Sequence, residues 1–119
     1  MFRRLVLVAP VLLAGCVQPG VATAPVATMA CDTSIRVSNQ SSGVVQQLYF
    51  SHSSLNAWGA DQLGASVLPP GRFVNYRMNN PGNYDFRVVW SNGQAAELRR
   101  VNVCAASQVI VTNAGLRAG

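Results

Sequence analysis

The sequence predicts an all-β protein, a small antiparallel β-sandwich of about seven strands. The first reason is a repeated two-residue alternation of apolar and polar side chains, which is typical of half-buried strands. It is clearest where Tyr84, Phe86, Val88 and Trp90 alternate with Asn83, Asp85 and Arg87. The second reason is that turn residues separate the runs at short intervals, as in Asn92-Gly93, a strong hairpin signal. An immunoglobulin-like arrangement is one form of this class, and a small closed β-barrel is the alternative.

Seven segments are predicted as strands because each combines alternation with flanking turn residues. Turn clusters lie at residues 39–43, 69–71 and 80–82. In the second segment, Val44 shares one phase with Leu48 and Phe50. The predicted strands are residues 33–39, 44–51, 65–68, 72–78, 83–90, 94–104 and 108–112.

Two places break the alternation. The apolar phase slips between Leu98 and Val101, which predicts a β-bulge or bend at Arg99-Arg100. Residues 53–64 carry no strand pattern and predict a compact loop with room for one helical turn.

Length and charge limit the class of protein. The chain has 119 residues, enough for one domain. All nine basic residues are arginine, and removal of Arg3 and Arg4 with a signal peptide leaves a net charge of about +3. A nucleic-acid-binding protein concentrates more basic charge than this, so no nucleic-acid partner is expected.

The N-terminus has the pattern of an export signal. Arg3 and Arg4 precede an apolar run, which is too short for a membrane-spanning helix of about 20 residues. At its end, Leu13-Ala14-Gly15-Cys16 resembles the lipobox of bacterial lipoproteins. An ordinary signal-peptidase site at Ala22-Thr23-Ala24 is the competing interpretation.

The lipobox resemblance implies cleavage before Cys16 and attachment of acyl chains, including palmitate, to Cys16. Two or three chains on one residue anchor a protein stably, whereas one chain binds only marginally. Val17 in place of aspartate implies the outer membrane, facing the periplasm. The expected organisation is a signal peptide at 1–15, a flexible acylated tether at 16–31 and a β-sandwich domain at 32–119. The tether would hold the domain roughly 20 Å from the membrane.

With Cys16 acylated, two cysteines remain, and an oxidising compartment favours a Cys31–Cys104 disulfide. A metal site formed by these cysteines and His52 is the rival interpretation. It lacks the ligand spacing of known zinc motifs, so neither a metal nor another cofactor is expected.

A second resemblance covers most of residues 35–112. It rests on Trp58-Gly59-x-Asp61-x-Leu63-Gly64, Leu68-Pro69-Pro70-Gly71, Tyr84-Asp85-x-Arg87-Val88 and Val101-Asn102-Val103-Cys104. The pattern is similar to small exported β-sandwich proteins of proteobacteria whose function is not established. That family often has a cysteine directly before the Tyr-Asp pair. Asn83 stands there in this chain, which leaves Cys31 as the partner for Cys104.

Residues with catalytic chemistry are few. His52 is the only histidine, and the adjacent Ser51 points to the opposite face of a strand. Among the carboxylates, the spacing of Asp61, Asp85 and Glu97 defines no catalytic pair. Asp85 is expected to face solvent or to pair with a cross-strand arginine, Arg99 or Arg100.

Loop 53–64 is the candidate interaction loop, through Trp58 and Asp61, because tryptophan is enriched at binding hot spots. The competing interpretation is structural: Trp58 plugs one end of the sandwich and Asp61 caps backbone amides.

The expected function is therefore that of a lipid-anchored cell-envelope protein with a non-catalytic interaction or accessory β-domain. Its expected partners are the membrane and an envelope protein or an anionic glycan or lipid. The alternatives are an envelope hydrolase that uses His52 with a serine or Asp61, and an arginine-mediated binder of anionic envelope polymers.

Overall fold

The computed structural model describes residues 31–119, and within them it contains seven β-strands and no helix. Residues Asp32–Gly119 form one compact unit. The strands are β1 (Ser34–Asn39), β2 (Val45–His52), β3 (Phe73–Arg77), β4 (Asn83–Trp90), β5 (Ala95–Asn102), β6 (Gln108–Thr112) and β7 (Gly115–Ala118).

The strands form two sheets, one of order β3-β1-β6-β7 and one of order β2-β4-β5. The predicted all-β sandwich is confirmed, and the described strands do not close into a barrel. The pairing is antiparallel as predicted except in one place, where β1 and β6 pair in parallel. Four strands, β2 to β5, separate these two along the chain, so no hairpin forces them to be antiparallel. The strand order also differs from that of an immunoglobulin constant domain.

The core lies between the two sheets. Alternate residues of each strand point inward, and the inward side chains of β1, β2, β4 and β6 are almost completely buried. Phe86 is the largest fully buried side chain. The most deeply buried apolar strand residues are Ile35, Val37, Val45, Leu48, Phe86, Val88, Val109 and Val111.

The structure removes one predicted strand and adds one that the sequence analysis missed. Residues 65–68 do not form a strand, and only Leu68 makes an isolated bridge to Val45. The missed strand is β7, which follows β6 through a two-residue hairpin in which Thr112 pairs with Gly115. Gly115 has a φ of 133°, a backbone conformation that side chains with a Cβ rarely adopt.

The apolar phase of β2 also differs from the prediction. Val45, and not Val44, is completely buried with Leu48. The register shifts between Val45 and Gln47, so one extra residue is accommodated there and the inward phase changes, as at a β-bulge.

A buried amide holds the turn after β1. Asn39 is fully buried, and its Nδ2 donates to the carbonyls of Gly43 (2.8 Å) and Leu68 (2.9 Å). Its Oδ1 accepts the Ser41 N–H (3.0 Å) and the Ser41 hydroxyl (2.6 Å). Because each polar atom of this amide has a partner, its burial carries no desolvation penalty from a missing hydrogen bond.

Candidate functional site

The segment after β2 turns back along the free edge of that strand. The Gln62 N–H donates to the Leu48 carbonyl (2.7 Å), and Val45 and Leu68 exchange two backbone hydrogen bonds of 2.9 Å. An unprotected edge strand exposes backbone groups that can pair with another chain. The segment therefore covers the edge of β2 and is itself held in place by it.

Asp61 anchors this loop, as the structural interpretation of the sequence predicts. Its Oδ1 accepts the backbone N–H groups of Leu48 and Leu63, each at 3.0 Å. Leu63 in turn packs against the core. The carboxylate of Asp61 thus joins the loop to β2.

Trp58 has a different role in the fold from the one the structural interpretation predicts. It is half-buried, and in residues 31–119 it belongs neither to the core nor to the side chains packed against the core. Its expected role as a plug for the sandwich is therefore wrong. Instead, the Arg99 guanidinium lies 4.9 Å from the centre of its ring, a cation–π contact.

Beside this loop lies a groove of about 690 Å³, here called the Trp58 groove. This volume is within the range of small-molecule sites. Aromatic and amide side chains are frequent in its lining, and among the described residues no carboxylate and only one arginine, Arg77, line it. Leu55, also in the lining, is 61% exposed. The side chains that define the groove are His52, Leu55, Trp58, Tyr76, Asn80 and Tyr84.

The aromatic wall of the groove is fixed by ring contacts and hydrogen bonds. Tyr76 packs edge-on against Phe50, with ring centres 4.9 Å apart. The Tyr84 hydroxyl donates to the Asn80 carbonyl (2.9 Å). Burial, followed by the negative charge of Asp61, raises the pKa of Tyr76 above its ordinary value. These contacts hold the wall in place, and the raised pKa keeps the Tyr76 phenol neutral.

A buried carboxylate lies on the neighbouring part of the three-stranded sheet. Asp85 is 6% exposed and lies opposite two residues of β5, Arg99 and Arg100. Arg100 has a φ of 59°, so the predicted bulge at this position is confirmed. Asp85 accepts hydrogen bonds from the Ser53 hydroxyl (2.7 Å), the Arg100 N–H (2.9 Å) and Arg99 Nη1 (3.0 Å). The predicted pairing of Asp85 with a cross-strand arginine is thus confirmed.

These contacts determine the ionisation of Asp85. Burial alone raises the pKa of this carboxyl, but the hydrogen bonds from Ser53, the Arg100 N–H and Arg99 outweigh burial and hold the pKa below its ordinary value. Asp85 is therefore a negative charge that positions Arg99 and the start of the loop at Ser53.

The same arginine connects the carboxylates to Trp58. Arg99 Nη2 donates to Glu97 Oε1 (2.6 Å), and Arg87 Nη1 donates to Glu97 Oε2 (2.6 Å). The hydrogen bond from Arg99, opposed by burial and reinforced by Arg87, lowers the pKa of Glu97. Held by two carboxylates, the guanidinium of Arg99 provides a fixed surface for one side of the Trp58 ring.

His52 lies at the end of β2, within the wall of the groove. Its Nδ1 is 2.8 Å from the Ser54 hydroxyl and accepts the Ser54 N–H at 3.3 Å. Its ring packs edge-on against Tyr84, and its Nε2 lies so close to Gly82 that a Cβ there would be only 2.8 Å away. The contact with Ser54 spans two residues and is a local turn. Within residues 31–119, no hydrogen bond joins His52 to Asp61.

Cys31 and Cys104 form the predicted disulfide. A disulfide has no thiolate to offer a metal, so the rival metal site with His52 is not formed. In the part of the chain that the structure describes, no group of three or more histidine, cysteine, aspartate or glutamate residues is placed to hold a metal ion.

The predicted lipidation site, Cys16, lies outside the described residues, as do the signal peptide at 1–15 and the tether up to residue 30. From residue 31 onward, the chain has no helix with the length and apolar character needed to cross a membrane.

Fold and site together define a disulfide-linked, seven-stranded β-sandwich domain with an aromatic groove beside a well-anchored loop. No protein-family model, no curated protein and no solved structure matches the chain.

The sequence interpretation names Trp58 and Asp61 but misses the residues around them. Tyr76 and Leu55 line the groove, and Arg99 and Ser53 hold its loop in place. The slip of apolar phase at Arg99 is a sequence signal for a special position in β5. No sequence signal brings Tyr76 of β3 close to a loop that precedes it by many residues.

Proposed function

We propose that the protein is a lipid-anchored cell-envelope protein whose β-domain is a non-catalytic binding module for an envelope protein. Cys16 carries the acyl chains, and the Trp58 groove receives an apolar side chain or short segment of the partner. The observation that carries the proposal is the state of Trp58: it is outside the core, stacked on Arg99 and part of a groove of about 690 Å³.

The chemistry of the groove supports binding of a largely apolar group. Leu55 exposes 61% of its surface next to Trp58, and the aromatic rings of Tyr76 and Tyr84 continue the lining. Interface hot spots typically combine such aromatic anchors with a water-excluding surround. Asp61 already anchors the loop in the free protein. A partner that binds the groove therefore needs to order few loop residues, and the complex loses little conformational entropy when it forms.

The hydrolase alternative has weaker support. Catalysis by a serine and a histidine needs a third group that orients the imidazole, and within residues 31–119 no hydrogen bond joins His52 to Asp61, whose Oδ1 accepts two backbone N–H groups. His52→Ala is expected to leave any hydrolytic activity of the purified protein unchanged, and a large loss would favour the hydrolase.

A photoreactive probe that replaces Leu55 is expected to crosslink an envelope protein in living cells. The side chain at this position is exposed and borders the groove. The control probe replaces Ala114, which is exposed in the β6–β7 hairpin, near Trp90. Mass spectrometry should identify a partner captured from position 55 and not from position 114. Equal capture from both positions would contradict a specific groove.

The lipid anchor predicts a separate result. Cells that produce the protein with Cys16→Ser should incorporate no labelled palmitate into it, because the thioether forms on the Cys16 sulfur. Cys31→Ser also removes one sulfur but should retain the label per molecule of protein, measured against an immunoblot because this variant opens the disulfide. Equal labelling of the Cys16→Ser variant and the unaltered chain would exclude the anchor.

A further inference from the structure

We propose that the outer face of the four-stranded sheet docks on anionic phospholipid headgroups at the membrane surface. This face, here called the basic face, is defined by Arg36, Arg77, Arg117 and Phe73. The proposal does not depend on the Trp58 groove: Arg77 borders both surfaces, but Arg36, Arg117 and Phe73 do not line the groove.

The strand register brings the three arginines onto one face. Ser34 pairs with Arg77, and Ile110 pairs with Arg117. Directly paired residues point to the same side of a sheet, as do residues two apart along a strand. Arg36 therefore shares its side with Arg77 through Ser34. Arg36 also pairs with Gln108, two residues before Ile110, so Arg117 lies on that side too. With strands about 4.8 Å apart, the face is roughly 14 Å wide.

The carboxylates of the domain are mostly elsewhere. Asp85 and Glu97 lie on the three-stranded sheet and pair with arginines there. Asp61 is bound to backbone N–H groups. Among the described side-chain carboxylates, only Asp32 lies at the basic face, 3.5 Å from Arg77 and largely exposed. A Gly119 carboxyl oxygen lies nearby and accepts the N–H groups of Ser107 (2.8 Å) and Gln108 (3.1 Å). In the described ion pairs, neither Arg36 nor Arg117 has a carboxylate partner. Counting side chains, the three arginines of this face exceed its one carboxylate by two charges, whereas the rest of the domain has one positive charge in excess.

The face also contains a hollow that suits a phosphate group. It has a volume of about 680 Å³ and is lined by Arg36, Arg77, Asn75 and Gln108, and also by Asp32, whose carboxylate pairs with Arg77. Guanidinium groups bind phosphate oxygens through paired N–H donors. Two arginines and two amides around one hollow offer several such donors to a headgroup.

Phe73 distinguishes a bilayer from a soluble anionic polymer. It is 52% exposed, and the Arg36 guanidinium lies 4.0 Å from the centre of its ring. An exposed aromatic ring next to cations suits a membrane interface, where the ring enters the apolar boundary and the cations meet the headgroups. A polysaccharide offers no such boundary.

The test measures cosedimentation of the purified chain with vesicles. The chain carries Cys16→Ser, so that no acyl group contributes. One set of vesicles is phosphatidylcholine, and the other contains roughly one-third phosphatidylglycerol. The phosphatidylcholine set accounts for apolar binding by the N-terminal segment, and the arginine variants below separate the basic face from Arg3 and Arg4, which every variant keeps. Stronger binding to the anionic set, lost on addition of salt, is expected. Equal binding to both sets would overturn the proposal.

Arginine variants distinguish binding through the basic face from attraction by the net charge of the whole domain. Arg36→Gln and Arg117→Gln should each weaken binding to the anionic vesicles about five-fold, and the double variant about 25-fold. Arg100→Gln is the matched control, because it removes the same charge from the other sheet, where its side chain is exposed. It should have little effect. Equal losses in all three single variants would overturn the proposal in favour of general charge attraction.

Phe73→Ser tests whether the basic face binds a lipid bilayer and not a soluble anionic polymer. It should weaken vesicle binding while leaving the salt dependence intact, and circular dichroism should show an unchanged fold. If Phe73→Ser has no effect and dextran sulfate binds the chain as tightly as the vesicles do, the occupant is a soluble polyanion and the bilayer proposal is overturned.

Discussion

Removal of the disulfide between Cys31 and Cys104 is expected to lower the free energy of unfolding by up to about 4 kcal/mol. The bond closes a loop of about 73 residues, and opening it restores conformational freedom to the unfolded chain. A domain of this size buries a modest core, so this loss is a large part of its stability. Urea unfolding followed by tryptophan fluorescence measures the change.

The design of this experiment uses the two single variants as well as the double one. Cys31→Ala and Cys104→Ala should each cause nearly the whole loss, and the double variant should add little, because either change opens the same bond. Equal stability of the unaltered and the double-variant chains would contradict the prediction, as would single effects that simply add.

The second large effect is expected for Asp85→Asn, which should lower the free energy of unfolding by about 2–3 kcal/mol. The carboxylate is buried and accepts three hydrogen bonds. An asparagine can keep an acceptor toward Ser53 and the Arg100 N–H, but its amide then turns N–H donors toward Arg99. The matched control is Asp32→Asn, an exposed carboxylate that is also next to an arginine, and it should leave the urea midpoint almost unchanged.

The stability of the unaltered protein should also fall in acid. The pKa values of Asp85 and Glu97 are lower in the folded protein than their ordinary values, which are about 4 in an unfolded chain. The unfolded chain therefore binds more protons as the pH drops below about 4, and the stabilisation present above that pH is lost as the pH falls through the folded pKa values.

Asp85→Asn should remove the part of this acid sensitivity that comes from Asp85. Urea midpoints measured between neutral pH and about pH 2 should decline less steeply in the variant than in the unaltered protein. If the urea midpoints of the two proteins declined with pH at the same rate, folding would not lower the pKa of Asp85, and the prediction would be wrong.

Local sequence patterns predict those features of the structure that are determined by residues close together in the sequence. The slip of phase at Arg99-Arg100 predicts the bulge because a β-bulge shifts side-chain alternation within a few residues. The same holds for β6, whose run of Val109 to Val111 stands between polar residues. The amide-capping role of Asp61 follows from the tendency of aspartate to bond nearby backbone N–H groups.

The features that the sequence does not reveal depend on distant parts of the chain. The parallel pairing of β1 with β6 is decided by how the chain crosses between sheets. Residues 65–68 resemble a strand, yet the edge of β2 pairs only with Leu68, and Val67 remains 41% exposed. The Trp58 groove is equally non-local, because Tyr76 and Trp58 lie on separate elements that only the fold brings together.

The claim that Trp58 binds a partner is tested most directly by the crosslinking yield from the probe at Leu55 in cells that carry Trp58→Ala. A hot-spot tryptophan contributes about 2 kcal/mol or more to binding, so the yield should fall by about 30-fold. Because Trp58 is outside the core, the urea midpoint of the variant should stay close to that of the unaltered protein. An unchanged yield, or a loss that matches the fraction of unfolded protein, would contradict the proposed binding role.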